Sequence, residues 1–153
     1  MLTCCGGGGL TSGIALALEA RAPGLKVRPV EPEGFDEDAR SLATGDIQSN
    51  DRVSGSICDA IITPRPGNLT FPIMHRLCGP GLIVTEDECL HAMALAFLRL
   101  KIVLEPGGAV ALASALFRRD AIAGDTVLVV ATGGNVDPGV FTDGLTRFAC
   151  AAD

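Results

Sequence analysis

The sequence opens MLTCCGGGGLTSGIALALEA, and its four consecutive glycines, Gly6 to Gly9, constrain the chain more than any other feature. Glycine has no side chain to pack and loses more backbone entropy on ordering than any other residue. A run of four therefore marks a place where the backbone must come very close to something. Leu2 to Cys5 reads as the end of a strand and Leu10 to Arg21 as an Ala- and Leu-rich helix, so the run lies where a strand hands over to a helix. The first amides of a helix have no intrahelical acceptor and carry the positive end of its dipole, which suits an anion, phosphate above all. A structural turn or tight helix–sheet packing is the plainer alternative.

Two familiar phosphate loops fail on spacing. A P-loop needs Lys and then Ser or Thr after its last glycine, but Gly13 is followed by Ile14 and Ala15. The GxGxxG fingerprint would need glycine at Thr11 or Ser12. Glu31 ends the next strand ~20 residues on, where a dinucleotide fold keeps its ribose-binding acid. A nucleotide-binding module built on the glycine run and Glu31 thus stays open as a second reading.

The rest of the chain alternates strand with helix. Lys26 to Glu31 reads as a strand, Asp36 to Thr44 as a helix, Leu69 to Leu77 as a helix and Gly81 to Val84 as a strand, with mostly loop from Gly45 to Gly67. Thr85 and Glu88 form a capping box for a helix running to about Leu100. A helix over Ala109 to Arg119 follows EPGG, and a buried strand over Thr126 to Ala131 leads through TGGN into a last helix ending near Phe148. This order predicts an α/β fold of three layers, a parallel sheet with helices on both faces. Ligands of such sheets bind at the carboxyl ends of the strands, where both GGGGL and TGGN fall.

Composition removes several classes. At 153 residues the chain has the length of one domain, and 48% hydrophobic residues exclude disorder. The net charge of −6 comes from scattered acids, and no Lys/Arg cluster marks a nucleic-acid footprint. No wholly apolar stretch is long enough to span a membrane. Cys4, Cys5, Cys58, Cys78, Cys89 and Cys150 show no CxxC spacing and read as reduced thiols of a cytoplasmic chain, used as small core residues. His75 and His91 have no partner at metal spacing and receive no role.

Taken in order, CCGGGGLTSGIA, VRPVEPEGFDEDARSLATG, TPRPGNLTFPI, LEPGGAVALA and VVATGGNVD resemble the serine/threonine dehydratases and serine racemases, pyridoxal-phosphate enzymes of the tryptophan-synthase-β-like fold. The resemblance runs through nearly the whole chain. It implies that Gly6, Gly7, Gly8, Gly9 and Leu10 grip the cofactor phosphate through backbone amides, that Thr132 offers its hydroxyl to the pyridine nitrogen, and that Glu105 lies near the ring. It also implies a Mg²⁺ or Ca²⁺ site made by Glu31, the carbonyl of Phe35 and Glu37, although relatives usually carry aspartate at the last position. Cys58, Asp59 and Ala60 stand where relatives commonly read A-D-G.

By the same resemblance, the complete enzyme takes the α-proton from L-threonine or L-serine, expels the β-hydroxyl, and yields a 2-oxo acid and ammonia. Racemase and hydroxyaspartate-directed relatives share these motifs. The chemistry needs a lysine that joins the cofactor covalently. Only Lys26 and Lys101 are present, and neither lies in the S-x-K-x-R-like context that relatives use. The chain is therefore expected to be a single partial catalytic domain, the C-terminal half of such an enzyme without a regulatory domain. It is also expected to be inactive alone and to pair with a separate N-terminal half or with itself through exposed apolar faces, the complete enzyme acting on a small hydroxy amino acid.

Overall fold

The computed structural model describes residues 1–148. Three strands, β1 (Leu2–Cys4), β2 (Arg28–Pro32) and β3 (Leu82–Val84), form a parallel sheet in that order. Leu2 lies opposite Arg28, and Val30 opposite Leu82. The helices are α1 (Gly9–Arg21), α2 (Glu37–Thr44), α3 (Thr70–Leu77), α4 (Glu86–Leu95), α5 (Pro106–Phe117) and α6 (Pro138–Phe148).

Side chains alternate across a strand, and β1 shows what that does here. Leu2 and Cys4 point into a core shared with Val30, Leu82 and Val84 and covered by Leu90 and Met93 of α4 and Ala109, Val110 and Ala113 of α5. Cys5, just past the strand, faces the other way and meets Thr11 of α1, Asp38 of α2 and Met74 of α3. Helices thus cover both faces of the sheet, and the expected architecture holds.

Most boundaries fall within two residues of the sequence reading, and two elements depart further. α5 starts at Pro106 rather than Ala109, because proline at the first helical position gives up only an amide that has no helical partner. Its small residues Gly107, Gly108, Ala109, Ala111 and Ala113 let the helix lie close on the sheet, and all are buried. The expected strand over Thr126 to Ala131 is reduced to one parallel bridge, Leu2 with Val129. Leu2 N donates to Leu128 O at 2.8 Å and Val130 N donates to Leu2 O at 3.0 Å. Among the described residues this segment is tied to the sheet through β1 alone, and Leu128 is half exposed. Among the described residues it has no second strand neighbour, and Val127 and Val129 are only partly buried against the core.

The capping box is present: Glu88 N donates to Thr85 Oγ1 at 3.3 Å, and Thr85 N to Glu88 Oε2 at 2.8 Å. α4 passes at Ala96–Leu100 into a π-helical turn, which stops at Lys101 with φ 60°. Among the described residues no helix is long and apolar enough to cross a membrane. The five cysteines described are free thiols, and all but the half-buried Cys78 are buried; Cys150 lies outside the described residues.

Candidate functional site

At the carboxyl end of β1 the glycine run turns the chain into α1. Gly8 is the residue before the helix and has φ 81°, a conformation that L side chains avoid. A Cβ on it would also lie 2.6 Å from the Met74 methyl and 2.8 Å from Thr70 Oγ1. The loop is braced from behind, where Thr70 Oγ1 donates to Gly7 O at 2.6 Å and Gly67 N donates to the same oxygen at 3.3 Å. Thr70 and Gly67 belong to the PGNLT stretch, so that motif serves as a strap on the loop. Gly7 and Gly9 differ from Gly8, since a Cβ on either meets nothing within 4 Å. Their free faces belong to a cavity of ≈ 200 Å³ lined by Cys4 to Thr11 together with Ala60, Ile61 and Thr63. A backbone loop at a helix N-terminus, open on one side and braced on the other, fits a phosphate monoester.

Thr132 reaches the same end of the sheet: its Oγ1 lies 3.2 Å from Cys4 Sγ, and Cys4 lines the glycine cavity. The TGGN turn is held there by α5. Thr132 N donates to Gly108 O at 3.4 Å and Glu105 N to Gly133 O at 3.2 Å. Gly108 is obligatory, because a Cβ on it would overlap the carbonyl oxygen of Thr132. Glu105 is the half-buried residue preceding α5, with its side chain against Gly133. The structure therefore brings Gly6 to Leu10 and Thr132 to one end of the sheet and sets Glu105 behind the TGGN turn. Leu10 lines the same cavity, and its side chain is exposed. Lys26 precedes the amino end of β2, and Lys101 is an exposed helix stop whose Nζ donates to Leu98 O. Neither lies at the cradle.

The acidic stretch forms a second cluster, linked to the first through Cys5 and Thr63, which line the glycine cavity. Glu31, Glu37 and Asp38 are fully buried and offer carboxylate oxygens that all lie within 4.8 Å of one another. Glu31 accepts from Asp38 N (2.9 Å) and Ala39 N (2.7 Å), so it caps α2. That burial leaves Glu31 no exposed face for a ribose, which removes the geometric basis of the nucleotide reading. Glu37 accepts from Asn50 Nδ2 and Thr63 Oγ1. Phe35, also buried, lies in the connection between Glu31 and α2 with the Arg52 guanidinium over its ring.

The sequence reading paired Glu31 with Glu37 and passed over Asp38, whose Oδ2 accepts from Cys5 Sγ at 2.9 Å. Burial pushes Glu31 up to about 9, with the charge of Asp38 adding to it. Asp38 rises to about 7, chiefly by burial. Burial first, and then Asp38, drive the Cys5 thiol well above its usual range. Such a set of hard oxygen donors fits a divalent cation.

Residues 1–133 match the family described as pyridoxal-phosphate dependent enzyme. Among curated relatives, the serine racemase of Dictyostelium discoideum is 39% identical over 140 residues, covering 90% of this chain and 43% of that protein. The L-threo-3-hydroxyaspartate ammonia-lyase of a Pseudomonas species is 38% identical over 132 residues, covering 86% of this chain and 41% of that protein. The crystal structure of a T.th. threonine deaminase superposes with a TM-score of 0.84 at 38% identity, covering 89% of this chain and 46% of that one. The chain thus spans less than half the length of the relatives it matches, and its fold is that of tryptophan-synthase-β-like enzymes. On the match over residues 1–133, the chain belongs to the pyridoxal-phosphate dependent enzymes.

Proposed function

We propose that this chain is the cofactor-phosphate-binding portion of a lyase or racemase acting on a small hydroxy amino acid, with L-threonine or L-serine dehydration as the reaction. The observation that carries the reading is the open backbone face of Gly7 and Gly9 over a cavity whose lining residue Cys4 contacts Thr132. Pyridoxal phosphate, when bound, supplies an electron sink for the substrate's α-carbon. The amides from Gly6 to Leu10 hold the phosphate, helped by the α1 dipole. Thr132 presents a hydroxyl to the ring nitrogen. Being neutral, it does not force a proton onto that nitrogen as a carboxylate would, which suits elimination or racemisation. Cys4 fixes the Thr132 side chain, and Glu105 braces the turn behind it. Glu31, the Phe35 carbonyl and Glu37 hold Mg²⁺ or Ca²⁺ as a structural ion that ties β2 to α2.

The names of the relatives support the substrate class, since serine, threonine and 3-hydroxyaspartate all carry a β-hydroxyl. Neither lysine of this chain lies at the cradle, so we assign the cofactor-bearing lysine and the substrate-carboxylate loop to a separate N-terminal portion. Purified chain with cofactor alone is then expected to form no 2-oxobutyrate from L-threonine, and measurable turnover refutes that assignment. Cofactor capture is tested by comparing pyridoxal phosphate with pyridoxal in equilibrium dialysis. Loss of the phosphate should weaken binding ~tenfold or more, the cost of at least one charge-assisted hydrogen bond. Equal binding of the two compounds would rule out the cradle.

A further inference from the structure

The buried acids carry a further inference, one that rests on the cation site proposed above. Glu31, Glu37 and Asp38 are each fully buried, and none takes part in an ion pair among the described residues. The nearby guanidinium of Arg40 pairs instead with Asp36 at 3.5 Å and bonds Asn50. Three carboxylates packed together with no basic partner are costly unless a cation or protons neutralise them.

Each oxygen of Glu31 accepts one backbone amide, and each oxygen of Glu37 accepts one side-chain donor. Asp38 Oδ2 accepts from Cys5. Asp38 Oδ1 alone is buried with no hydrogen-bond partner. Buried polar atoms are rarely left so, and an unpartnered oxygen on a fully buried member of a three-carboxylate cluster fits a metal bond. The Cys5 thiol acts here as an outer donor that holds Asp38 in place, as carboxylate ligands commonly require.

We propose that Asp38 is a third carboxylate ligand of this cation site, positioned by Cys5, and that the resulting site selects Ca²⁺ over Mg²⁺. Mg²⁺ demands strict octahedral geometry and keeps several waters, usually meeting one or two carboxylates. Ca²⁺ accepts six to eight oxygens in looser geometry and suits a dry site with three acids and a carbonyl. Ligand charge tunes affinity in such sites, so removing the Asp38 charge should weaken it.

The test is isothermal titration of the chelator-treated full chain with CaCl₂ and with MgCl₂. Wild type should bind Ca²⁺ at least ~10-fold more tightly than Mg²⁺. Asp38→Asn should weaken Ca²⁺ ~10- to 100-fold, while Asp46→Asn, an exposed neighbour, should change nothing. Cys5→Ala should weaken Ca²⁺ by a smaller factor, and Cys5→Ser, which keeps a donor, should restore it. Unchanged Ca²⁺ affinity in Asp38→Asn overturns the inference and leaves the site of Glu31, Phe35 and Glu37 standing. Absence of any Ca²⁺ or Mg²⁺ binding in wild type sinks the cation site itself and this inference with it. Preference for Mg²⁺ in wild type also overturns the inference, and that readout needs no variant. Should Asp38→Asn fail to fold by circular dichroism, the Cys5 pair and the wild-type preference decide.

Discussion

At the scale of single residues, Glu31 and Asp38 make stability depend on pH. Their pKa values rise from 4.5 to about 9 and from 3.8 to about 7 on folding. Between the unfolded and folded values the native state keeps protons that the unfolded chain has released, so stability falls as pH rises through that window. Chelator-treated chain should lose roughly 5 °C or more in thermal midpoint from pH 5 to pH 9, the shift expected for ~2 kcal/mol in a domain of this size. Added Ca²⁺ should flatten that decline, because a bound cation replaces the protons. A midpoint that rises with pH in the chelated chain contradicts this account. Gly108→Ala should cost about 1–3 kcal/mol in urea unfolding, since the new methyl drives α5 off the Thr132 carbonyl. The resemblance to the dehydratases points to Glu31 and Glu37 within EPEGFDED and leaves out Asp38. Whether an acid in the first turn of α2 points inward is decided by its partner Cys5, 33 residues away.

At the scale of elements, local signals were legible where one segment settles its own fate. Thr85 and Glu88 specify the start of α4, and the capping box forms. Glu88 does more than cap, because both its oxygens accept from the Arg118 guanidinium at the end of α5. Thr85→Ala should therefore cost ~1 kcal/mol, and Glu88→Ala more, since it frees Arg118 from α4 as well. Equal costs in urea unfolding would show that the Arg118 link adds nothing. The strand at Thr126 to Ala131 was less legible. TVLVVA has the apolar run of a buried strand, but how far it pairs depends on neighbours on both sides, which the run does not encode. EPGG reads as a turn before a helix, although the proline is already the first helical residue.

At the scale of the whole molecule, the layering follows from the alternation of strands and helices, and the two glycine turns meet because both end on the carboxyl side of one parallel sheet. The surface is less self-sufficient. Phe97, Leu100, Ile102 and Val103 form an exposed apolar stretch within seven residues of chain, and Leu128 is exposed on the segment beside β1. Such a surface favours association. Sedimentation should show mass rising with concentration for wild type and less so for Phe97→Asp combined with Leu100→Asp; a wild type that stays monomeric at all concentrations speaks against it. The proposed function requires this chain to hold the cofactor phosphate in a preformed cradle. With no Trp or Tyr in the chain, visible and near-ultraviolet titration with pyridoxal phosphate reads cleanly. The direct measurement compares wild type with Gly7→Val, a substitution in the cavity lining at a position where an added Cβ meets no protein atom within 4 Å. Saturable binding in wild type, abolished in Gly7→Val with circular dichroism unchanged, is the predicted result. Equal binding by the two, or none by a folded wild type, contradicts the account.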